Sequence, residues 1–306
     1  MRIAALGGLI IASISGPALA IDLGNSLSLT GEVELEYLNS DGDDTSFGFI
    51  DITLGWRSQG GGAVGFGFDL AVDSTQLLET GEDRTAYWGG FVITTGAGEF
   101  TVGAPRPVMN VLYETPKIGG NSFYDELLPQ FTGPLTSVLV KTSDANAYGV
   151  SFIGESGNLK YGVYYANLEN LDADVLQLAG TYRLGATLVH GGAERITDGP
   201  IDVTTLELGV TQEFDRFSLG AEIIDISSSG APFDGQSIKL FGEYNMTDAL
   251  TLGVQIQNVD SPVDATLYGL SGEYGFGSGG YARLGVLDSD QGTSEPLFDA
   301  AVGFRF

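Results

Sequence analysis

Residues 27–37 read Leu27-Ser28-Leu29-Thr30-Gly31-Glu32-Val33-Glu34-Leu35-Glu36-Tyr37, and two kinds of residue alternate without a break. Leu27, Leu29, Gly31, Val33, Leu35 and Tyr37 are apolar or small, whereas Ser28, Thr30, Glu32, Glu34 and Glu36 are polar. Successive side chains of a β-strand point to opposite faces, so the stretch predicts a strand with one face of oil and one of acid. The pattern recurs in Ile50, Ile52, Leu54 and Trp56 against Asp51, Thr53 and Arg57, and in Val64, Phe66, Phe68, Leu70 and Val72 against Gly65, Gly67, Asp69 and Asp73. It returns in Leu206, Leu208 and Val210 against Thr205, Glu207 and Thr211, and in Leu252, Val254 and Ile256 against Thr251, Gln255 and Gln257. Helical periodicity is nearly absent.

About sixteen such segments of roughly 9 to 12 residues can be counted, the length of a tilted strand that crosses a bilayer. Their connections alternate in length. Short ones fall at 58–62, 95–98, 155–158, 183–185, 213–216, 245–249 and 275–279; longer, polar ones fall at 39–46, 74–83, 104–144, 168–174, 194–202, 227–235, 259–265 and 288–296. Short turns on one side and longer loops on the other describe an antiparallel transmembrane β-barrel with its turns toward the periplasm. Trp56, Tyr182, Phe214, Phe217, Tyr244, Tyr274, Phe276, Tyr281 and Phe304 all lie beside short turns, as an aromatic girdle at a headgroup boundary would.

Composition limits the alternatives. The 306 residues carry 13 Lys+Arg against 40 Asp+Glu, a net charge of −27, which repels phosphate backbones and excludes nucleic acid as a partner. No cysteine is present, so disulfides, Cys-based zinc sites and thiol nucleophiles are excluded. A soluble sandwich also alternates, but its outward face would carry Lys as well as acid, and the mean hydropathy of +0.12 is high for so acidic a chain. An inside-out barrel accounts for both numbers.

Met1-Arg2, the apolar run Ile3–Ile14 and the break Gly16-Pro17-Ala18-Leu19-Ala20 form the pattern of a secretory signal peptide cut after Ala20. The division expected is therefore a leader at 1–20 and a barrel at 21–306. Losing Arg2, the leader's one charge, moves the net charge to −28. No later apolar stretch is long enough for a transmembrane helix.

The last strand, Leu297-Phe298-Asp299-Ala300-Ala301-Val302-Gly303-Phe304-Arg305-Phe306, ends in a terminal Phe and resembles the signal read by the barrel-assembly machinery of Gram-negative outer membranes. Thr80-Gly81-Glu82-Asp83 and Tyr268-Gly269-Leu270-Ser271-Gly272-Glu273-Tyr274 resemble stretches of the alphaproteobacterial, Rhodobacter-type general porins. This resemblance implies an outer-membrane homotrimer of 16-stranded barrels. Each would hold a water-filled diffusion pore, narrowed by a third loop folded inward, and would contact lipid, lipopolysaccharide and the assembly machinery through Phe304 and Phe306. It implies no cofactor and no catalysis.

Residues 104–144 are by far the longest connection and are the candidate for the constriction loop that the resemblance implies. Within them 136–142 reads either as a strand or as the loop's return; a seventeenth strand would put the chain ends on opposite sides, so the return is expected. The resemblance implies an acidic inner loop facing a basic wall. The loop candidates are Glu114, Asp125 and Glu126 with Arg106, Lys117, Tyr113 and Tyr124, and the basic wall candidates are Arg57, Arg84, Arg283 and Lys239. Alternation itself places Glu32, Glu34, Glu36, Asp51, Asp69, Glu207, Glu222, Glu243 and Glu273 on the inward face, an acid excess that favours cations.

Asp41, Asp43 and Asp44 offer oxygen ligands of the kind calcium takes, though without EF-hand spacing. The segment 74–81 either latches over a neighbouring subunit or packs within its own barrel. Two further functions remain to be weighed, a substrate-specific channel and an outer-membrane hydrolase. The second would need the single histidine, His190, beside a serine, and no Gly-x-Ser-x-Gly elbow accompanies it.

Overall fold

In lipid, every backbone N–H and C=O must find a partner within the protein, so strands that span a bilayer have to close into a ring. In the computed structural model they do. It describes residues 21–306 apart from 23–25, 41–42, 59–63, 114, 117, 119, 122–133, 144, 230–233, 261–263 and 291–294. The expected leader, Asp41, Glu114, Lys117, Tyr124, Asp125, Glu126 and the side chain of Asp43 lie outside the described residues.

After a two-residue strand β1 (Ile21–Asp22), the first half of the ring is β2 (Leu27–Ser40), β3 (Asp43–Arg57), β4 (Val64–Leu77), β5 (Asp83–Thr95), β6 (Gly98–Ala104), β7 (Ala147–Ser156), β8 (Leu159–Leu168) and β9 (Ala173–Leu184). The second half is β10 (Thr187–Asp198), β11 (Ile201–Glu213), β12 (Phe217–Ser229), β13 (Gly235–Asn245), β14 (Leu250–Asp260), β15 (Ala265–Gly277), β16 (Gly280–Ser289) and β17 (Leu297–Arg305). Each pairs antiparallel with its successor, and β17 returns to β2, with Val302 opposite Leu35 and Phe304 opposite Val33. At this seam Gly31 and Phe306 exchange backbone hydrogen bonds of 2.8 and 2.9 Å. The result is a closed barrel of sixteen antiparallel strands.

Alternation decides the faces. In β14, Leu252, Val254 and Ile256 are exposed, while Gln255, Gln257 and Val259 are buried. An eleven-residue strand such as β14 is about 36 Å long and, tilted by about 45°, rises about 25 Å, the height of a barrel's apolar band.

The aromatic girdle forms at the short-turn rim, with Phe214 stacked on Phe217 at 4.2 Å and Trp56 on Phe68 at 5.9 Å. Tyr281 is the exception. It points into the lumen, 2 % exposed, with its hydroxyl between Glu32 and Glu34. A second belt that the sequence reading missed, Tyr37, Tyr87, Tyr148, Tyr165, Tyr268 and Phe298, is exposed near the opposite rim. Two of its hydroxyls donate to rim carboxylates, Tyr37 to Asp44 at 2.7 Å and Tyr165 to Asp174 at 2.9 Å.

Two of the expected long loops are mostly strand. Asn39 and Ser40 pair with Asp44 and Asp43, and 194–202, expected as a long loop, is a hairpin closed by a two-residue turn at 199–200. Gly199 takes φ +54° there, as such a turn requires. Polar composition misled the reading, because strands that leave the membrane keep their ladder hydrogen bonds and turn polar on both faces.

The connection 105–146 behaves differently. β6 stops after seven residues and the chain leaves the wall for the interior. It forms helix α1 (Val108–Leu112) and helix α2 (Leu135–Ser143). The expectation for 136–142, a loop return merging into a strand, is thus corrected. Its β-branched residues suit a strand locally, but Thr136 and Val140, four apart, are buried on one helical face. Tertiary burial outweighs a propensity difference of a few tenths of a kcal/mol per residue.

Both helices pack on the inner wall of β5 and β7–β10. Val108, Met109 and Val140 lie in an apolar cluster with Ala147, Tyr164, Ala166, Leu168, Val175 and Ala179 of the strands. Small wall residues leave room for the helices. A second inward cluster, Leu38, Phe47, Val203, Ile224, Ile226, Val259, Leu267 and Leu287, runs along the wall near the loop rim. The lumen is therefore not acid throughout.

Candidate functional site

The loop is tied to the wall at points spread round the ring. Arg106 makes a bidentate pair with Asp51 of β3, 2.9 Å through one of its two contacts. The backbone N–H of Met109 in α1 donates to Gln177 of β9 at 3.5 Å. Tyr113 then stacks on His190 of β10, with ring centroids 4.4 Å apart. Lys239 of β13 donates to Thr115 at 2.5 Å, and Asn121 donates to Glu34 of β2 at 3.1 Å. Between these contacts Ile118 is 2 % exposed and fits a notch of β14 and β15, where a Cβ on Gly269 would lie 2.7 Å from it. The described residues of the loop between Arg106 and Asn121 follow the wall as a collar.

Helix α2 closes the collar. Glu194 of β10, 1 % exposed, accepts hydrogen bonds from the Thr136 backbone N–H at 3.2 Å, from the Thr136 hydroxyl, and from Gln177 Nε2 at 2.6 Å. A carboxylate at a helix N-terminus satisfies free N–H groups and complements the helix dipole. At the last turn, Lys141 Nζ sits 2.8 Å from Asp73 of β4.

The charges of the wall follow one rule: the larger cation clusters are outnumbered by acids. Arg57 holds Asp69 through Nη1 at 2.6 Å and Glu99 through Nε at 3.1 Å. Arg305 holds Glu273 at 2.6 Å and Glu32 at 3.1 Å. Arg283 lies 3.1 Å from Glu34, 3.6 Å from Asp299 and 3.9 Å from Glu36. Lys239 pairs with Glu222 at 2.8 Å, and Glu207 lies on the next strand. Arg106–Asp51 and Lys141–Asp73 are one-to-one.

Part of this set borders a cavity of about 440 Å³ lined by Glu32, Asp51, Asp73, Arg84, Arg106, Asn121, Lys141, Glu207, Glu222 and Arg305, among others, whereas the Arg57 and Arg283 clusters lie on the wall outside it. Burial, followed by the charge of Glu207, pushes the Tyr113 hydroxyl above its usual range. Among the described residues, the loop's charges in contact with the wall are the cations Arg106 and Lys141, set against acids. The acidic loop candidates lie outside the described residues. Arg57, Arg283 and Lys239 stand on the inward wall but in separate acid-rich clusters, not as one basic patch.

The alternation placed Glu32, Glu34, Asp51, Asp69, Glu207 and Glu222 on the inward face, where they are found. Asp73, set on the polar face of its strand by the alternation, lines the cavity; the reading missed Glu99, Glu194 and Asp299 as acids of the wall, Gln177 as the joint between the two helices, and Lys141. A signal did exist: inward positions Gly162, Tyr164, Ala166 and Leu168 of β8 and Ala173, Val175 and Ala179 of β9 are apolar or small, which marks the wall a loop covers. At the rim, Asp44 Oδ1 accepts from Tyr37 and from Asn39, the latter at 2.5 Å.

A closed barrel, apolar outside and charged inside, with an inward collar, defines a pore-forming protein of the outer-membrane type. Comparison with known proteins agrees, and the chain belongs to the Gram-negative porin family, whose model matches residues 5–292. A porin of Rhodobacter capsulatus is 26% identical over 316 residues, covering 92% of this chain and 100% of the relative. Among solved structures, a porin refined at 1.8 Å superposes with a TM-score of 0.66 at 19% identity, covering 92% of this chain and 100% of that one. A loop-deletion variant of OmpT from Vibrio cholerae gives 0.64 at 15% identity, with 92% and 99% covered. The protein is an outer-membrane porin channel.

Proposed function

We propose that the channel passes small hydrophilic solutes by passive diffusion and prefers cations. The observation that carries this is the imbalance on the inward wall, where Arg305, at the cavity, and Arg57 and Arg283, outside it, each face two or three carboxylates. Excess negative charge at a narrow lumen raises the local cation concentration, and salt screens the effect. The test is the zero-current potential of the refolded protein in a planar bilayer across a salt gradient. Cation selectivity that weakens as salt rises is expected, and anion selectivity refutes the reading.

The functional unit is a homotrimer in the outer membrane, in contact with lipid and lipopolysaccharide. It is delivered by a leader cut after Ala20 and inserted through its terminal Phe306. The porin family supports the outer-membrane setting, and the Met1–Ala20 pattern and the terminal Phe support the leader and the insertion signal; conductance steps in threes and a mature N-terminus at Ile21 are the expected readouts. No catalytic role falls to His190, whose neighbours are carboxylates and the Tyr113 ring.

A further inference from the structure

His190, Glu207 and Glu222 come from three adjacent strands and turn their polar atoms toward one point of the wall. His190 is opposite Gly209, and Gly209 is opposite Glu222. The imidazole lies over that glycine so closely that a Cβ there would fall 2.2 Å from Nε2. Nε2 ends 3.7 Å from Glu207 Oε1 and 3.6 Å from Glu222 Oε2, and the three ligand atoms lie within 4.8 Å of one another. His190 is 2 % exposed, and its Nε2 is buried without a hydrogen-bond partner, as is Glu222 Oε2.

We propose that these three side chains bind a divalent transition-metal ion of the zinc class. The separations are too long for hydrogen bonds. They suit two ligands of one ion, since zinc–nitrogen and zinc–oxygen bonds near 2.0–2.1 Å set a tetrahedral edge of about 3.4 Å. One imidazole and two carboxylates are a borderline donor set that suits Zn²⁺ better than calcium or magnesium. Three protein ligands leave a fourth position for water. Outer contacts hold the ligands in place: Lys239 fixes the other oxygen of Glu222 at 2.8 Å, and Tyr113 covers the imidazole face. Glu207 and Glu222 border the cavity, which gives an ion its entry. A bound ion would lock the wall of β10–β12 beneath the collar at Tyr113.

The test uses the refolded full chain, Zn²⁺ and Co²⁺. After equilibrium dialysis against Zn²⁺, wild type should retain one more ion per chain than His190→Ala; equal retention overturns the site. Co²⁺ in place of zinc should give the intense visible absorption of a tetrahedral centre in wild type, and the weak spectrum of the hydrated ion overturns it. If His190→Ala does not fold, judged by loss of its heat-modifiable migration, Glu207→Gln takes its place. Its Zn²⁺ affinity should fall by more than about tenfold, the scale at which even outer-shell partners act. Unchanged affinity overturns the proposal.

Discussion

Arg106→Gln is the sharpest probe of lumen electrostatics, because it leaves the Asp51 carboxylate facing the cavity without its bidentate partner. A cation passing about 7 Å from that carboxylate gains roughly 0.6 kcal/mol in water before screening. At 0.1 M salt the Debye length of about 10 Å halves this to roughly 0.3 kcal/mol, a ~1.6-fold rise in cation over neutral occupancy. At 1 M salt, with a Debye length of about 3 Å, the factor falls to ~1.1. Zero-current potentials of wild type and variant, measured at both salt levels, test the pair of numbers. Asp51→Asn should shift selectivity the opposite way, and the double variant should return close to wild type. A shift toward anions in Arg106→Gln, or a shift as large at 1 M as at 0.1 M, would refute the reasoning. The pair is partly exposed, with side chains 24% and 34% accessible, so its loss should cost about 1 kcal/mol or less of stability.

Three further changes test the architecture. Glu194→Ala removes the acceptor at the start of α2, and with hydrogen bonds to a charged group contributing about 1.5–3 kcal/mol each, the collar should open to protease near Pro134 and the current should become noisier; an intact collar with quiet channels argues against the anchor. Gly31→Val places a Cβ about 2.1 Å from the Asp51 carbonyl oxygen at φ +152°, so the β2–β3 pairing next to the seam should fail and the folded band on a heat-modifiability gel should be lost. Ala166→Leu overfills the wall beneath α1, a fully buried position, and should destabilise the packed collar by about 1–3 kcal/mol, read as altered conductance with the barrel still folded.

The strands of the barrel could be read because their signal is local. In Leu27–Tyr37 the period of two fixes which residues meet lipid, and strands such as β4, β11 and β14 repeat that statement. Tyr281 shows the limit of the rule. It lies beside a short turn, as girdle residues do, yet its parity sends it inward to Glu32 and Glu34. The rim hairpins were misjudged for a related reason, since beyond the membrane the alternation fades while the ladder continues, as the pairing of Ser40 with Asp43 shows. The terminal Phe306 was singled out as an assembly signal, but its backbone partnership with Gly31 emerges only when the ring closes.

The sequence by itself determined a closed antiparallel barrel with an apolar exterior, an acid-rich inner face and one exceptional loop. Only the tertiary structure decided where that loop runs, that 135–143 is helical, which acids gather round each cation, and that the single histidine meets Glu207 and Glu222. The physical reason is separation along the chain. Alternation acts between neighbours, whereas Thr115 meets Lys239 across 124 positions and Asn121 meets Glu34 across 87, contacts that exist only because sixteen strands return to their starting point.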